Sequence, residues 1–210
     1  MNTTIVIVCF ETQPIVRKAY ESIREIYPDI PVIIVDGSKE RNDCYTYTNQ
    51  IRSETTRVFH VKRNIGHGEG MAFGIKHVMT KYILLMDSDV QIQRECIQPM
   101  EDVFNISKSA VGVDLYGVGQ VVKVDNAGRN SESGLPYLHP HFALISKEVY
   151  LQFPPAAHHG APMILPMREL HVQGRADLLR DFPVSEYVLH KGRGTVSTVR
   201  RTAYTRGWVK

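Results

Sequence analysis

Cysteine is scarce in this sequence. The three cysteines, Cys9, Cys44 and Cys96, are odd in number, lie far apart and include no pair with C-x-x-C spacing. This usage excludes a scaffold held together by disulfides and favours reduced thiols inside a cell.

Long hydrophobic runs are also missing. The longest apolar stretches are a few residues, far short of the roughly 20 residues that cross a bilayer as a helix. The first residues lack the charged region and apolar core of a signal peptide. We therefore expect a soluble, cytoplasmic protein without a transmembrane segment.

The chain carries little net charge. Its 25 Lys and Arg residues nearly balance its 22 Asp and Glu residues, so the formal charge of +3 demands no nucleic-acid partner. Residues 191–210 are the exception, because they include several cations, Arg193 among them, and no acid. This basic segment is suited to facing phosphates, and a solvated tail is the alternative.

Strand and helix patterns alternate through the first ninety residues. Apolar, largely β-branched runs at residues 5–10, 31–35, 57–61 and 82–86 predict buried strands. Residues 15–27, residues 42–52 and a stretch through Ile75, Val78 and Met79 predict the helices between them. Such alternation indicates an α/β fold with a mostly parallel central sheet and helices on both faces. The 210 residues fit one domain with a regular half, 1–90, and a smaller irregular portion within 91–210.

Aspartates follow two of these predicted strands. The second strand ends at Asp36, and the fourth stops at Asp87 and Asp89. Ligands of open α/β sheets bind outside the carboxyl ends of the strands. Two carboxylates separated by one residue suit a divalent cation. Asp87 and Asp89 are therefore candidate metal ligands, and ordinary turn chemistry of Asp and Ser is the alternative.

Glycines are concentrated after the third predicted strand. Residues 62–74 hold two cations, an asparagine and four glycines. Glycines before a helix let backbone N–H groups approach an anion closely. We interpret the segment as a phosphate-contacting loop, with a plain tight turn as the alternative. Its spacing matches neither the dinucleotide fingerprint nor the P-loop.

Most histidines lie in the second half of the chain. His139, His141, His158 and His159 suggest zinc, but their spacing is not that of a known structural zinc site. His190 ends a predicted strand shortly before a glycine-flanked arginine. Its imidazole is suited to complete the coordination of a cation held by Asp89, and satisfaction by packing is the alternative.

Four motifs in order resemble the nucleotide-sugar half of family 2 glycosyltransferases of the GT-A fold. They lie at residues 5–11, 33–38, 63–72 and 83–89, and the similarity covers about residues 4–92. The resemblance implies that residues 1–90 bind a nucleotide-diphosphate sugar and that residues 91–210 bind the acceptor, with a basic C-terminal lid.

The resemblance also implies roles for individual residues. It implies nucleotide contacts from Phe10, Glu11, Asp36, Arg63, Asn64, Gly66, Gly70 and Asp87. It implies that Mn²⁺ or Mg²⁺ is held by Asp87, Asp89 and His190, and that Arg193 belongs to the mobile basic loop and assists the departing diphosphate.

One feature of the family is not evident. The acid pair that supplies the catalytic base before the late helix is replaced here by His-His-Gly-Ala-Pro at residues 158–162. His159 is one candidate base, since imidazole works near neutral pH. Glu169 and Asp177 are further candidates, and a base elsewhere in the chain is the third option.

We expect a metal-dependent, inverting transfer of a sugar from a nucleotide-diphosphate sugar to an acceptor hydroxyl. One alternative is a nucleotidyltransferase acting on a sugar phosphate. Another is a non-catalytic module that binds nucleotide sugars or nucleic acid. The sequence leaves three candidate acceptors, which are a saccharide, a lipid-linked sugar and modified nucleic acid, because acceptor specificity resides in irregular segments.

Overall fold

The structure, a computed structural model, describes residues 2–158 and 160–190. The strands are β1 (Thr3–Cys9), β2 (Val32–Asp36), β3 (Thr56–His60), β4 (Tyr82–Asp87), β5 (Val90–Ile92), β6 (Gly117–Val124), β7 (Leu135–Ser146), β8 (Leu179–Asp181) and β9 (Val188–His190). The helices are α1 (Gln13–Ile26), α2 (Asp43–Gln50), α3 (His67–Lys76), α4 (Ile97–Val111), α5 (Lys147–Tyr150) and α6 (Ile164–Val172). Two 3₁₀ turns lie at Ala176–Leu178 and Val184–Glu186.

Seven strands form one sheet in the order β3-β2-β1-β4-β7-β6-β8. The first four of these run parallel, as the alternation of strands and helices predicts. β7 then pairs antiparallel with both β4 and β6, and β8 runs parallel to β6. The predicted α/β class with a mostly parallel sheet is therefore confirmed, and the antiparallel β7 joins the two halves of the chain.

Apolar side chains cover both faces of the sheet. Alternate residues of β1 point to opposite faces, so Ile5 and Ile7 belong to one core cluster and Val6 to the other. Side chains of α1, α2 and α4 pack in the first cluster, and side chains of α3 and α6 pack in the second. Buried strands with helices on both sides explain why the apolar runs of the sequence show no polar alternation.

The glycine-rich segment lies mostly inside a helix, which corrects the predicted loop. α3 begins at His67, after Gly66 with a φ of 88°, and ends at Lys76 rather than running through Met79 as predicted. A Cβ added to Gly70 would lie 2.6 Å from Val8 Cγ1, and one added to Gly74 would lie 2.6 Å from Val6 Cγ1. These two glycines therefore let α3 pack closely against β1.

We expect Gly74→Ala to destabilise the protein, although alanine favours helices over glycine by roughly 1 kcal/mol. The new methyl group meets a stiff, buried valine, and overpacking of this kind costs about 1–3 kcal/mol. Urea denaturation measures the change. Gly160→Ala is the control, because a Cβ there meets nothing within 4 Å. An unchanged unfolding midpoint for Gly74→Ala would show that β1 and α3 are not in close contact.

Candidate functional site

A cavity of about 250 Å³ opens at the carboxyl edge of the parallel strands. It lies where ligands bind in open α/β sheets. Polar groups from the ends of β4 and β9 line it together with apolar residues of β1 and β2. The lining residues are Val8, Cys9, Phe10, Val35, Gly37, Asn64, Ile65, Gly66, His67, Asp87, Ser88, Asp89 and His190.

Strand pairing brings the three predicted metal ligands together. Asp87 ends β4, and Asp89 follows two residues later, in the tight turn directly before β5. β5 pairs antiparallel with β9, with Val90 opposite His190, so the imidazole reaches the neighbouring carboxylate. His190 Nε2 lies 3.3 Å from Asp89 Oδ1. The ligand atoms of Asp87, Asp89 and His190 all lie within 4.8 Å of one another.

Asp87 is ionised and keeps an acceptor atom open. Burial opposes its charge, but His67, and more weakly His141 and His139, lower the pKa of Asp87 to about 2. His67 Nε2 lies 3.1 Å from Asp87 Oδ1, which is an ion-pair distance. The alignment does not make a hydrogen bond, so this buried oxygen has no hydrogen-bond partner among the described residues. A negatively charged oxygen with an open acceptor site fits a cation.

The charge of Asp87 also affects its histidine neighbour. Burial alone would lower the pKa of His67, but the nearby Asp87 outweighs this effect and raises it. The contact with Asp89 likewise raises the pKa of His190, against a smaller opposing effect of burial. The site thus alternates acidic and basic side chains, and each stabilises the charged form of the other.

Sequence motifs did not predict that His67 belongs to this site or that His139 and His141 lie beside it. The rings of His141 and His190 stack with centroids 4.7 Å apart, and Nδ1 of His141 lies 2.7 Å from Nδ1 of His139. Burial lowers the pKa of both β7 histidines, that of His141 to about 4. Both imidazoles are therefore neutral near pH 7. Their i, i+2 spacing on one strand was the available signal.

The structure does not bring together the described histidines of the zinc alternative. His139 and His141 are in contact with each other, but His158 is exposed and His159 lies outside the described residues. Within residues 2–158 and 160–190, the two groups suited to hold a metal ion are Asp87, Asp89 and His190, and Cys9, Asp36 and Cys44.

The predicted nucleotide-contacting residues divide into two sets. Phe10, Asn64, Gly66 and Asp87 line the cavity. The Asn64 side chain accepts a hydrogen bond from the backbone N–H of Gly66 at 3.0 Å and so shapes the turn before α3. The remaining predicted residues, which are not among the lining residues, are Glu11, Arg63, Gly70 and Asp36.

Asp36 contacts the protein rather than the cavity. It is fully buried. Its Oδ1 accepts a hydrogen bond from the backbone N–H of Ser38 at 2.8 Å, and its Oδ2 accepts one from the Thr48 hydroxyl at 2.6 Å. His60 Nδ1 lies 3.4 Å from the same Oδ2. The carboxylate therefore ties α2 to the end of β2, directly beneath the lining residues Cys9 and Gly37.

Glu169 and Asp177, the candidate catalytic bases that the structure describes, are not among the residues that line the cavity. Glu169 lies in α6 and accepts a hydrogen bond from Gln173 Nε2 at 2.8 Å, and Asp177 lies in the turn before β8. His159 and Arg193 lie outside the described residues, as does the predicted lid that follows residue 190. Of the described carboxylates, Asp87 and Asp89 line the cavity.

The seven-stranded, mostly parallel α/β sheet with helices on both faces is a fold of the GT-A type. The model of the family described as Glycosyl transferase family 2 matches residues 4–164. This is well over half of the chain, so the protein belongs to glycosyltransferase family 2. Among the described residues, no helix is long and apolar enough to cross a membrane.

Solved structures share this fold at low sequence identity. S. aureus TarS 1–349 in complex with UDP-GlcNAc has a TM-score of 0.61 and 13% identity, over 94% of this chain and 61% of that chain. The mannosyltransferase PcManGT from Pyrobaculum calidifontis, in complex with GDP-Man and Mn²⁺, has a TM-score of 0.58 and 13% identity, over 87% of this chain and 57% of that chain.

A curated relative is similar over a shorter stretch. A Mycobacterium tuberculosis protein (strain CDC 1551 / Oshkosh), provisionally named a glycosyltransferase, is 27% identical over 104 residues. The match covers 47% of this chain and 30% of the relative. The chain thus spans less than a third of that relative.

We expect Thr48→Val to destabilise the protein by about 1–3 kcal/mol, because it removes a hydrogen-bond donor from the buried Asp36 carboxylate. Thr46→Val is the matched control. It makes the same change on the exposed face of α2, where the cost is within about 0.5 kcal/mol. Chemical denaturation of both variants gives the difference. Equal stability of the two variants would contradict the role of Thr48.

Proposed function

We propose that this protein transfers a glycosyl group from a nucleotide-diphosphate sugar to an acceptor hydroxyl, with inversion at the sugar. The observation that carries the proposal is the convergence of Asp87, Asp89 and His190 at the cavity beside the carboxyl ends of the parallel strands. Membership of glycosyltransferase family 2 supports the same reaction. It also favours glycosyl transfer over the nucleotidyltransferase and binding-module alternatives.

The cavity suits a nucleotide-sugar donor. Phe10 offers an aromatic ring for a nucleobase, and Gly37 and Gly66 line the same cavity without a side chain of their own. TarS and PcManGT, which share the fold, were solved with UDP-GlcNAc and with GDP-Man and Mn²⁺. By similarity we assign the donor to the same chemical class.

We propose that Asp87, Asp89 and His190 hold Mn²⁺ or Mg²⁺. Carboxylate oxygens and an imidazole nitrogen are ligands that Mn²⁺ accepts, and the open oxygen of Asp87 fits such an ion. When bound, the cation acts as a Lewis acid toward the diphosphate leaving group. The histidines behind it orient the ligands, because the His141 ring stacks on His190 and His67 contacts Asp87.

We propose His159 as the catalytic base, ahead of Glu169. The segment immediately before it is in contact with the helix that carries His67: the backbone N–H of Gly68 donates a hydrogen bond to the His158 carbonyl at 2.9 Å. Glu169 instead pairs with a neighbour on its own helix, away from the cavity. An inverting transfer needs a group within reach of the acceptor proton.

We assign the acceptor to a second cavity, which shares His190 with the first. Aromatic and aliphatic side chains form its wall, and Gln120, Asp181 and Ser185 add polar groups. Its described lining contains an acid but no lysine or arginine. This composition favours a hydroxyl-rich acceptor region, such as a saccharide, over a phosphate group at this point. The lining residues are Gln120, Val121, His141, Asp181, Phe182, Pro183, Val184, Ser185, Val188, Leu189 and His190.

Donor screening and product analysis test the reaction class. A panel of UDP- and GDP-sugars is incubated with the protein and Mn²⁺, and thermal stabilisation identifies the donor, because a ligand of the folded state raises the melting temperature. Release of a nucleoside diphosphate supports glycosyl transfer. Release of pyrophosphate from a nucleoside triphosphate in the presence of a sugar phosphate would contradict glycosyl transfer. Binding of a donor without any turnover would also contradict it.

We expect Asp89→Ala to abolish turnover while the protein stays folded, because the substitution removes a negatively charged cation ligand. Activity of the wild-type protein is expected to disappear with excess chelator and to return with added Mn²⁺. Asp29→Ala is the control, since Asp29 is exposed and remote in sequence from the site. Full activity of Asp89→Ala, or of the wild-type protein in chelator, refutes the metal proposal.

We expect His190→Ala and Arg193→Ala to differ in a metal titration. Loss of the imidazole raises the Mn²⁺ concentration needed for half-maximal activity. Loss of the guanidinium removes about 2–4 kcal/mol of transition-state stabilisation and so lowers kcat, with a smaller effect on KM. Steady-state kinetics over a range of Mn²⁺ concentrations separate the two effects. A shift of only the metal requirement in Arg193→Ala would contradict this division of roles.

A further inference from the structure

Two buried cysteines lie in contact beneath the donor cavity. Cys9 ends β1 and lines the cavity, Cys44 lies in the first turn of α2, and their sulfur atoms are 3.9 Å apart. Both are free thiols, with 3% and 0% of their surface exposed. A disulfide needs its sulfurs about 2.05 Å apart, so a movement of about 2 Å closes the gap.

Asp36 gives the same cluster some resemblance to a metal site. Its carboxylate lies within 4.8 Å of both sulfurs. Both carboxylate oxygens already accept hydrogen bonds, from the Ser38 backbone and from the Thr48 hydroxyl. A structural zinc site also needs four ligands, and this group offers three. The contacts therefore favour thiol chemistry at this position over metal binding.

The two thiols differ in reactivity. The hydrogen-bonded contact between the Cys44 and Cys9 thiols lowers the pKa of Cys44, although burial opposes this shift. The neighbouring Ser38 side chain and Thr12 backbone lower the pKa of Cys44 further. The same pairing, together with burial, raises the pKa of Cys9. These opposite shifts make Cys44 the more acidic thiol of the pair, and the thiolate is the form that attacks an oxidant.

We propose that Cys9 and Cys44 form a peroxide-sensitive dithiol that closes to a disulfide and changes the donor cavity. The Cys44 thiolate attacks one oxygen of hydrogen peroxide, which breaks the O–O bond and gives a sulfenic acid and hydroxide. The Cys9 sulfur then attacks the sulfenic sulfur, forming the S–S bond and releasing water. The proton lost from Cys44 neutralises the hydroxide, so two thiols and one peroxide give a disulfide and two waters.

The position of Cys9 links this chemistry to the cavity. Its carbonyl accepts a hydrogen bond from the Gly37 N–H at 3.0 Å, and a Cβ on Gly37 would lie 2.7 Å from the Arg63 carbonyl and 3.3 Å from Phe10. Movement of Cys9 toward α2 therefore displaces a tightly packed part of the cavity wall. This consequence depends on the proposed donor site: a bound nucleotide and the disulfide should exclude each other.

The experiment treats the full chain with hydrogen peroxide, with and without UDP or GDP plus Mn²⁺. Peptide mapping under non-reducing conditions then detects cross-linked peptides, and calorimetry measures nucleotide affinity. We expect a Cys9–Cys44 cross-link, slower formation when nucleotide is bound, and nucleotide affinity weakened about tenfold or more after oxidation, restored by dithiothreitol.

Two variants make the result specific. Cys44→Ser should form no cross-link and keep its nucleotide affinity in peroxide. Cys96→Ser is the control and should behave as the wild type does. Burial, against a weaker opposing contact with Tyr27, raises the pKa of Cys96 to about 12, and the described contacts place no second thiol beside it.

The outcomes separate this inference from the proposed function. Failure of the reduced protein to bind any nucleoside diphosphate contradicts the donor site. The dithiol is then still tested, because mass spectrometry detects the Cys9–Cys44 cross-link without any nucleotide. Separate alkylation of Cys9 and Cys44 after peroxide treatment overturns the dithiol. A cross-link that leaves nucleotide affinity unchanged overturns its effect on the cavity. A copurifying metal that must be chelated before the thiols react overturns the choice of thiol chemistry over metal binding.

Discussion

The register of β1 with its two parallel neighbours is the constraint on which the site depends. Val8 pairs with Asp87 on one side, and Cys9 pairs with Asp36 on the other. Parallel strands in this register end together, so both carboxylates reach the same edge of the sheet. A slip of one residue would turn each side chain of β1 to the opposite face and break the pairing of Val8 with Asp87 and of Cys9 with Asp36. The register of β1 therefore specifies the site as strongly as it specifies the fold.

Two aspartates at equivalent strand ends serve different purposes, and their hydrogen-bond partners decide which. Burying a carboxylate is costly unless donors compensate it. Asp36 has such donors in the Ser38 backbone and the Thr48 hydroxyl, and this interaction holds α2 beneath the cavity. Asp87 is kept ionised by histidines and retains an unfilled acceptor atom. A carboxylate with all its acceptors satisfied organises structure, whereas one with an open acceptor can bind a ligand.

The antiparallel half of the sheet supplies what the parallel half lacks. β7 runs beside β4 in the opposite direction, and its histidines lie next to the carboxylates at the end of β4. The short pairing of β5 with β9 returns the chain to the same place and carries His190 to Asp89. The site is thus assembled from segments about a hundred residues apart in the chain. Its integrity depends on long-range pairing more than on any local motif.

The sequence alone determined the strands, their burial and the aspartates that follow them. Apolar runs without polar alternation predict strands covered on both faces, and this property is local to each run. The residue types and spacing of the sequence also predicted that Asp87, Asp89 and His190 lie in one site. They did not distinguish Asp36 from Asp87, because the difference arises from donors such as Thr48, twelve residues away in another element.

Tertiary structure also decided the role of the glycines and the membership of His67, His139 and His141. Gly70 and Gly74 resemble loop glycines in sequence, yet they lie in α3 where valines of β1 leave no space for a side chain. The contact between Cys9 and Cys44 likewise exists only because β2 positions α2 beside the end of β1. Residue type and spacing report what a segment can form by itself. Which buried groups meet depends on the packing of segments distant in the chain, and only the folded structure contains that information.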